Sequence, residues 1–288
     1  MTGNRGERNF DELAREIVRA ALREDIGAGD VTTSAVVDAG AVARGVIVMK
    51  ERGVAAGLEV ARLAFEELDA GALFEARVVD GDEVGPGVVM AEVRGLGAAL
   101  LGAERTALNF LQRLSGVATL TREYVRELEG TGARIFDTRK TTPCLRALEK
   151  HAVRAGGGEN HRMGLYDAVL VKENHARLVG GVGRAAALAR ERSGAWGRIE
   201  VEAGTLEEVR EALGAGADVV LLDNMEFETM REAVALIGGR AEIEVSGGVT
   251  LENARVIAEL GVQRISVGAL THSARAVDIS MEIFPIEV

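Results

Sequence analysis

The sequence predicts an α/β protein in two parts, an α+β layer in its first half and a short or incomplete barrel of parallel strands in its second. Three observations predict it. Short β-rich runs end at Asp137, Lys172, Glu202, Asp223, Ser246 and Ser266, and most are followed by helical periodicity. The last four of these ends fall 21, 23 and 20 residues apart, one strand-plus-helix unit each. Alternating strand and helix implies a parallel sheet, and strands this apolar must be covered on both faces. Eight such units take about 250 residues, whereas roughly 140 from Arg134 onward hold six clear strands, so the barrel is expected to be incomplete.

The first half reads differently. Residues 10 to 25 form an amphipathic helix pattern with Leu13, Ile17, Val18, Ala21 and Leu22 inward, ended near Gly27 and Gly29. Strand-like runs follow at Ala41–Met49, Leu73–Val79 and Val88–Val93, the last two joined by the turn-rich stretch from Asp80 to Gly87. A helical pattern at Leu58–Leu68 lies among them, and a long one over residues 103 to 128 is expected to bridge the domains. Farther on, Thr205 to Glu208 is a capping box that opens a helix, with Gly214 as its C-cap candidate. Phe227, Met230, Val234 and Ile237 mark one face of the next helix. The tail from Val277 to Ile283 alternates like a strand and is expected to return to the first domain.

Composition narrows the function. The 288 residues are 47% hydrophobic, enough for a substantial core. The stretch from Met1 to Glu12 lacks the apolar core of a signal peptide, and no apolar run approaches the ~20 residues that cross a bilayer. A soluble cytoplasmic protein is the expectation. A formal net charge of −11 argues against nucleic acid or an anionic membrane as partner. One cysteine, Cys144, excludes an internal disulfide and a paired-cysteine zinc site. Charge is uneven, however: from Arg134 to His175 there are eight Lys/Arg against five Asp/Glu, together with His151, His161 and His175. That pattern suits either a solvated basic face or a focused pocket for a small anion.

In barrels the active site lies at the carboxyl ends of the strands. Here those ends carry Asp137, Thr138, Arg139 and Lys140, then Lys172, Glu202, Asp223, the turn Ser246, Gly247 and Gly248, and Gly268. A single charged residue at a strand end is most often a cap or a salt bridge, but six consecutive strands ending this way weaken that reading. The glycine turns follow the last two strands, where barrels commonly bind phosphate through backbone N–H groups. Glu202 and Asp223, one unit apart, suit magnesium, a hard ion that prefers oxygen and keeps waters and substrate phosphates; they equally suit neutralisation of nearby Arg and Lys. Neither a Walker A loop nor GxGxxG occurs, so ATP hydrolysis and a Rossmann dinucleotide site have no sequence support.

Seven segments in order resemble a known family. They are Glu24–Thr33 (EDIGAGDVTT), Glu104–Phe110 (ERTALNF), Asp137–Pro143 (DTRKTTP), Gly156–Arg162 (GGGENHR), Val171–His175 (VKENH), Leu222–Asn224 (LDN) and Val245–Gly248 (VSGG). Together they resemble the quinolinate phosphoribosyltransferases, also called nicotinate-nucleotide pyrophosphorylases, over nearly the whole chain. One departure is visible: where the family usually has glycine after TTP, this chain has Cys144, which could stiffen the loop or expose an oxidisable thiol but replaces no charged contact.

The resemblance implies an N-terminal α/β sandwich domain over residues 1–115, rejoined by the tail 274–288, and an incomplete, TIM-like α/β barrel over 116–273. It implies a pentosyltransferase that joins quinolinate to phosphoribosyl pyrophosphate (PRPP), with decarboxylation to nicotinate mononucleotide, pyrophosphate and carbon dioxide. It implies a homodimer, with assembly to a hexamer left open. Carried over by motif, Thr138, Arg139, Lys140, His161, Arg162 and Lys172 would bind substrate, with Arg105 entering from the partner subunit. Glu202 and Asp223 would hold magnesium and the ribose hydroxyls, and Ser246, Gly247, Gly248 and Gly268 the 5′-phosphate; His272 matches with a less defined substrate contact. Lys140, Lys172, Glu202 and Asp223 are the catalytic candidates. Two other enzymes remain open: a same-fold transferase for another aromatic acid, and a Schiff-base aldolase using Lys172, because such lysines also end barrel strands. A non-catalytic phosphate-ligand sensor explains the glycine turns but not the cations.

Overall fold

The computed structural model describes residues 8–286 apart from 193, 195 and 196. The first seven residues of the opening stretch and the last two of the tail lie outside the described residues. The described residues fall into two compact units, 8–122 with 141–157 and 271–286, and 123–140 with the described part of 158–270.

The first unit is built on a four-stranded antiparallel sheet. Its strands are β1 (Val42–Met49), β3 (Leu73–Ala76), β5 (Val89–Leu96) and β12 (Ile279–Pro285), in the order β12-β1-β5-β3. The tail therefore does return: β12 pairs with β1, Met281 opposite Ile47. A second, two-stranded pair not expected from the sequence joins β2 (Gly53–Val54) to β4 (Glu83–Val84). Helix α1 (Arg8–Ile26) buries Ala14, Val18 and Leu22, a four-residue repeat, while Leu13, Ile17 and Ala21 are only half-buried. The inward face is thus turned from the predicted one, centred on the small Ala14. Helix α2 (Val31–Val36) opens on Asp30, whose side chain accepts the N–H groups of Thr32 and Thr33. Helix α3 spans Leu58–Leu68 as predicted, and its free N-terminal N–H groups at Gly57 and Leu58 are taken by Asp80 from the turn-rich stretch. Helix α4 (Gly97–Glu127) is the long bridging pattern, begun six residues earlier than expected. Helix α5 (Arg146–Ala155) also groups with this unit.

The second unit is a six-stranded, all-parallel sheet. Its strands are β6 (Arg134–Phe136), β7 (Val169–Val171), β8 (Ile199–Ala203), β9 (Val219–Asp223), β10 (Glu242–Ser246) and β11 (Arg264–Ser266). They lie in the order β6-β11-β10-β9-β8-β7, so β6 and β7 are the two edges of a barrel-like sheet that does not close between them. The segment before β7 covers the edge of β6: Glu159 N–H donates to Ile135 O (2.8 Å) and Asp137 N–H to Glu159 O (3.1 Å). The chain that follows it carries His161 and Arg162, so edge protection also delivers two site residues.

Helices α6 (Glu173–Val179), α7 (Val182–Arg192), α8 (Leu206–Gly214), α9 (Phe227–Ile237) and α10 (Leu251–Ala258) follow β7 to β10 in this unit. Thr205 and Glu208 form the predicted reciprocal cap of α8. Gly214, however, is its last helical residue, the C-cap is Ala215, and the left-handed turn falls to Gly216 at φ 77°. On α9 the buried residues are Met230, Ala233 and Ile237, with Phe227 and Val234 nearer the solvent side of that stripe.

Candidate active site

Side chains alternate along a strand, so each barrel strand presents a rim residue and, two positions earlier, a residue one layer down on the same face. The rim consists of Lys172, Glu202, Asp223 and Ser246, and beneath them lie Leu170, Glu200, Leu221 and Glu244. A cavity of about 530 Å³ opens at this end. It is lined by Thr138, Arg139, Lys140, His161, Arg162, Lys172, Glu202, Asp223, Ser246, Gly247 and Gly248 from the predicted set, joined by Leu170, Leu221, Asn224, Glu244 and Ser266. Cations, carboxylates and a glycine turn therefore share one space. Gly268 follows β11 before α11 (Ala269–His272) and is not among the lining residues; Arg105, exposed on α4, and His272, with Nδ1 2.6 Å from Ser273 Oγ, belong to the first unit.

The rim is electrostatically paired. Lys172 Nζ lies 2.6 Å from Glu202 Oε2, and Glu202 Oε1 accepts the N–H of Glu173 (3.2 Å). Burial, followed by the charge of Glu202, pushes the Asp223 carboxyl above the usual aspartate range. Burial and the neighbouring Arg139 charge make the Arg162 guanidinium harder to keep protonated, and it donates to Ala168 O (3.2 Å). Two arginines and two carboxylates crowded at one mouth, with Arg162 and Asp223 each shifted by burial and by a like-charged neighbour, mark a candidate site for charged ligands.

Beneath the rim lies a polar cluster that the sequence reading missed. His161 Nδ1 accepts the Arg162 N–H (2.7 Å), which leaves Nε2 to donate toward Glu200 Oε2 (3.1 Å) and Glu244 Oε1 (3.4 Å). Glu244 is fully buried, takes the Ser266 hydroxyl (2.5 Å) and faces Arg264 Nε at 2.7 Å. Burial and then the charge of Glu200 push its carboxyl up to about 6. From β6, the buried Asp137 holds the His161 N–H (2.9 Å) and Asn160 Nδ2 (2.6 Å). Three carboxylates thus fix the segment that carries Arg162. The available signal was a glutamate two residues before Glu202 and another two before Ser246, each flanked by apolar residues on both sides within its strand.

Among the described residues, the group of three side chains close enough to surround a metal ion is His161, Glu200 and Glu244, already neutralised in part by Arg264. Glu202 and Asp223 form no such cage; two carboxylates alone suit an ion that keeps waters and substrate oxygens. Cys144, in the loop after Pro143, is exposed with φ 66°, a conformation that suits glycine far better than a side chain.

Residues 30–115 match the family model of the quinolinate phosphoribosyl transferase N-terminal domain, and residues 117–282 that of its C-terminal domain. A probable nicotinate-nucleotide pyrophosphorylase [carboxylating] of Bacillus subtilis is 46% identical over 269 residues, 93% of each chain. The nicotinate-nucleotide pyrophosphorylase [carboxylating] of Mycobacterium leprae is 43% identical over 278 residues, 94% of this chain and 98% of its own. The crystal structure of NadC from Streptococcus pyogenes superposes with a TM-score of 0.91 at 40% identity, covering 99% of this chain and all of that one. The two family models, met in order along one chain whose strand ends converge on a single charged cavity, establish that this protein belongs to the quinolinate phosphoribosyl transferase family.

Proposed function

We propose that this chain transfers the phosphoribosyl group of PRPP to quinolinate and decarboxylates the adduct, yielding nicotinate mononucleotide, pyrophosphate and carbon dioxide in the making of NAD. One observation carries the reading: Arg139, Lys140, Arg162 and Lys172 line the same cavity as the glycine turn Ser246–Gly248. Adjacent carboxylates on a planar ring suit guanidinium forks, which bind bidentately and stay charged, so Arg139 and Arg162 are the quinolinate contacts. Lys140 and Lys172 add point charge, and Thr138 and His161 complete that wall. The glycine turn presents backbone N–H groups to the 5′-phosphate, with Gly268 and His272 as further contacts carried by the family motif.

The pyridine nitrogen attacks C1 of the ribose as the bond to pyrophosphate breaks; no general base is needed, because that nitrogen bears no proton. Negative charge on Glu202 or Asp223 favours the oxocarbenium-like state, and cationic side chains favour the departing pyrophosphate. The alkylated ring nitrogen is then cationic and stabilises the electron pair left at C2 when the carboxylate departs as carbon dioxide; that pair takes up a proton, supplied ultimately by solvent, to form the C2–H bond of nicotinate mononucleotide. The protein holds the ring and excludes water.

Glu202 and Asp223 would hold magnesium together with the ribose hydroxyls; two carboxylates lining one cavity, with the Asp223 carboxyl raised by burial and then by the charge of Glu202, support a cation there. When bound, the ion supplies charge neutralisation to the pyrophosphate. A homodimer with Arg105 donated across the interface belongs to the same proposal. Support comes from exposed apolar side chains on α2, Val31 at 82% and Val36 at 76%, and from the exposed position of Arg105. A cytoplasmic site of action is part of the reading, resting on a single free cysteine.

The aldolase alternative needs a free amine, whereas Lys172 is held as an ammonium partner of Glu202. Incubating the protein with PRPP, magnesium and a panel of pyridine mono- and dicarboxylates tests the assignment. Nucleotide formed from quinolinate alone supports it, and preference for another acid redirects it to the same-fold alternative.

A further inference from the structure

Among the described residues, two other than glycine adopt a left-handed backbone, Cys144 and Asn224. Cys144 stands in an exposed loop, whereas Asn224 (φ 51°) sits on the cavity wall between the two features assigned to the phosphosugar. Left-handed asparagine is tolerated because its short side chain can bond locally. Here it bonds in two directions. Its carboxamide Nδ2 donates to Asp223 Oδ2 at 2.7 Å, and its backbone N–H donates to Ser246 O at 3.0 Å. One residue thus joins the carboxylate at the end of β9 to the turn at the end of β10.

The same carboxamide packs against that turn. A Cβ added to Gly247 would lie 2.2 Å from Asn224 Oδ1, 2.5 Å from its Cγ and 2.9 Å from its backbone nitrogen. Gly247 is itself left-handed at φ 88°. Glycine is therefore required there by its own backbone, by the Asn224 backbone nitrogen and by the Asn224 side chain, and the last and closest of these contacts is the one a substitution at 224 removes. The neighbouring Gly248 is also left-handed, at φ 63°, yet a Cβ on it would meet nothing within 4 Å, so the close approach is specific to the Asn224–Gly247 contact.

We propose that Asn224 is a positioning residue that fixes the distance between the Asp223 carboxylate and the Ser246–Gly248 turn, and thereby selects a pentose 5-phosphate. Asp223 takes the ring hydroxyls and the turn takes the phosphate, so the sugar must span the gap that Asn224 sets. The inference rests on the phosphoribosyl transfer proposed above. It adds a residue to which sequence reading gave no role, and it predicts that damage at Asn224 falls on one substrate only.

The test compares Asn224→Gly, which permits the left-handed backbone but deletes the carboxamide, with Asn224→Asp, which keeps the shape but turns an oxygen toward Asp223. Steady-state kinetics with each substrate varied, quinolinate titration by calorimetry and thermal melting are the readouts. Asn224→Gly is expected to raise KM for PRPP by about tenfold, the loss of one hydrogen bond to a charged group, with kcat and quinolinate affinity within about twofold of wild type. Asn224→Asp is expected to raise it further. The contact itself is tested by a cycle: Gly247→Ala should cost at least about tenfold more in kcat/KM for PRPP with Asn224 present than in the Asn224→Gly background. An unchanged KM for PRPP in both Asn224 variants, an equal loss for both substrates, or an equal cost of Gly247→Ala in the two backgrounds overturns the inference while leaving the transferase intact. Failure of the wild-type protein to consume PRPP and quinolinate overturns the functional reading, and this inference with it.

Discussion

Replacing Arg162 by alanine separates what the cavity needs for chemistry from what the fold needs for stability. Its guanidinium is half-buried, next to Arg139, and donates to the carbonyl of Ala168 at 3.2 Å. A bidentate guanidinium–carboxylate pair is worth ~2–3 kcal/mol, so its loss should lower kcat/KM for quinolinate by roughly 30- to 150-fold at 1.36 kcal/mol per decade. The fold loses one hydrogen bond of about 1 kcal/mol but also loses a partly desolvated charge beside another of the same sign. These effects offset, and Tm should move by no more than about 3 °C. Chromatographic measurement of nicotinate mononucleotide, with thermal melting of the same preparations, reads both quantities. Near-wild-type turnover would refute the assignment of Arg162 to the quinolinate carboxylates, as would a large fall in Tm that accounts for the lost activity.

Three further outcomes follow from the geometry. Borohydride reduction in the presence of aldehydes or ketones should leave Lys172 unmodified by mass spectrometry, since its ammonium is paired with Glu202, and an adduct there would revive the aldolase reading. Cys144→Gly should raise stability by about 0.5–1 kcal/mol in urea unfolding, because relief of roughly 1–2 kcal/mol of left-handed strain exceeds glycine's added entropy in the unfolded chain; a loss of stability contradicts that. Glu244 has its carboxyl raised from 4.5 to about 6, so its contribution to stability is fully present below about 4.5 and is lost as pH rises through about 6. Glu244→Gln should therefore gain about 2 kcal/mol on wild type between pH 4 and pH 7.5, and a pH-independent difference would remove the burial argument.

The barrel strands were legible because each couples an apolar run to a charged or small terminal residue; β9 and β10 fall on the predicted residues throughout. The strand ends also placed the rim, because residues at the carboxyl ends of barrel strands line the open end. What stayed hidden depends on contacts between distant segments. The β2–β4 pair has strands of two residues each, too short to show alternation. The inward face of α1 depends on what packs against Ala14, which hydrophobicity alone ranks below Leu13 and Ile17. Glu200 and Glu244 stay hidden because a charged residue inside a strand reads as solvent-facing until His161 is brought over it from the segment beside β6. Cys144 was seen as a departure from the family's glycine, but only its φ of 66° shows the physical reason for glycine there.

The central claim is that one cavity performs both ribosyl transfer and decarboxylation, and quinolinate carrying an isotopic label in its 2-carboxylate tests it most directly. The account predicts that labelled carbon dioxide, pyrophosphate and unlabelled nicotinate mononucleotide appear in equal amounts, and that omitting PRPP abolishes release of the label. Release of labelled carbon dioxide without PRPP, or a nucleotide that retains the label, would contradict it.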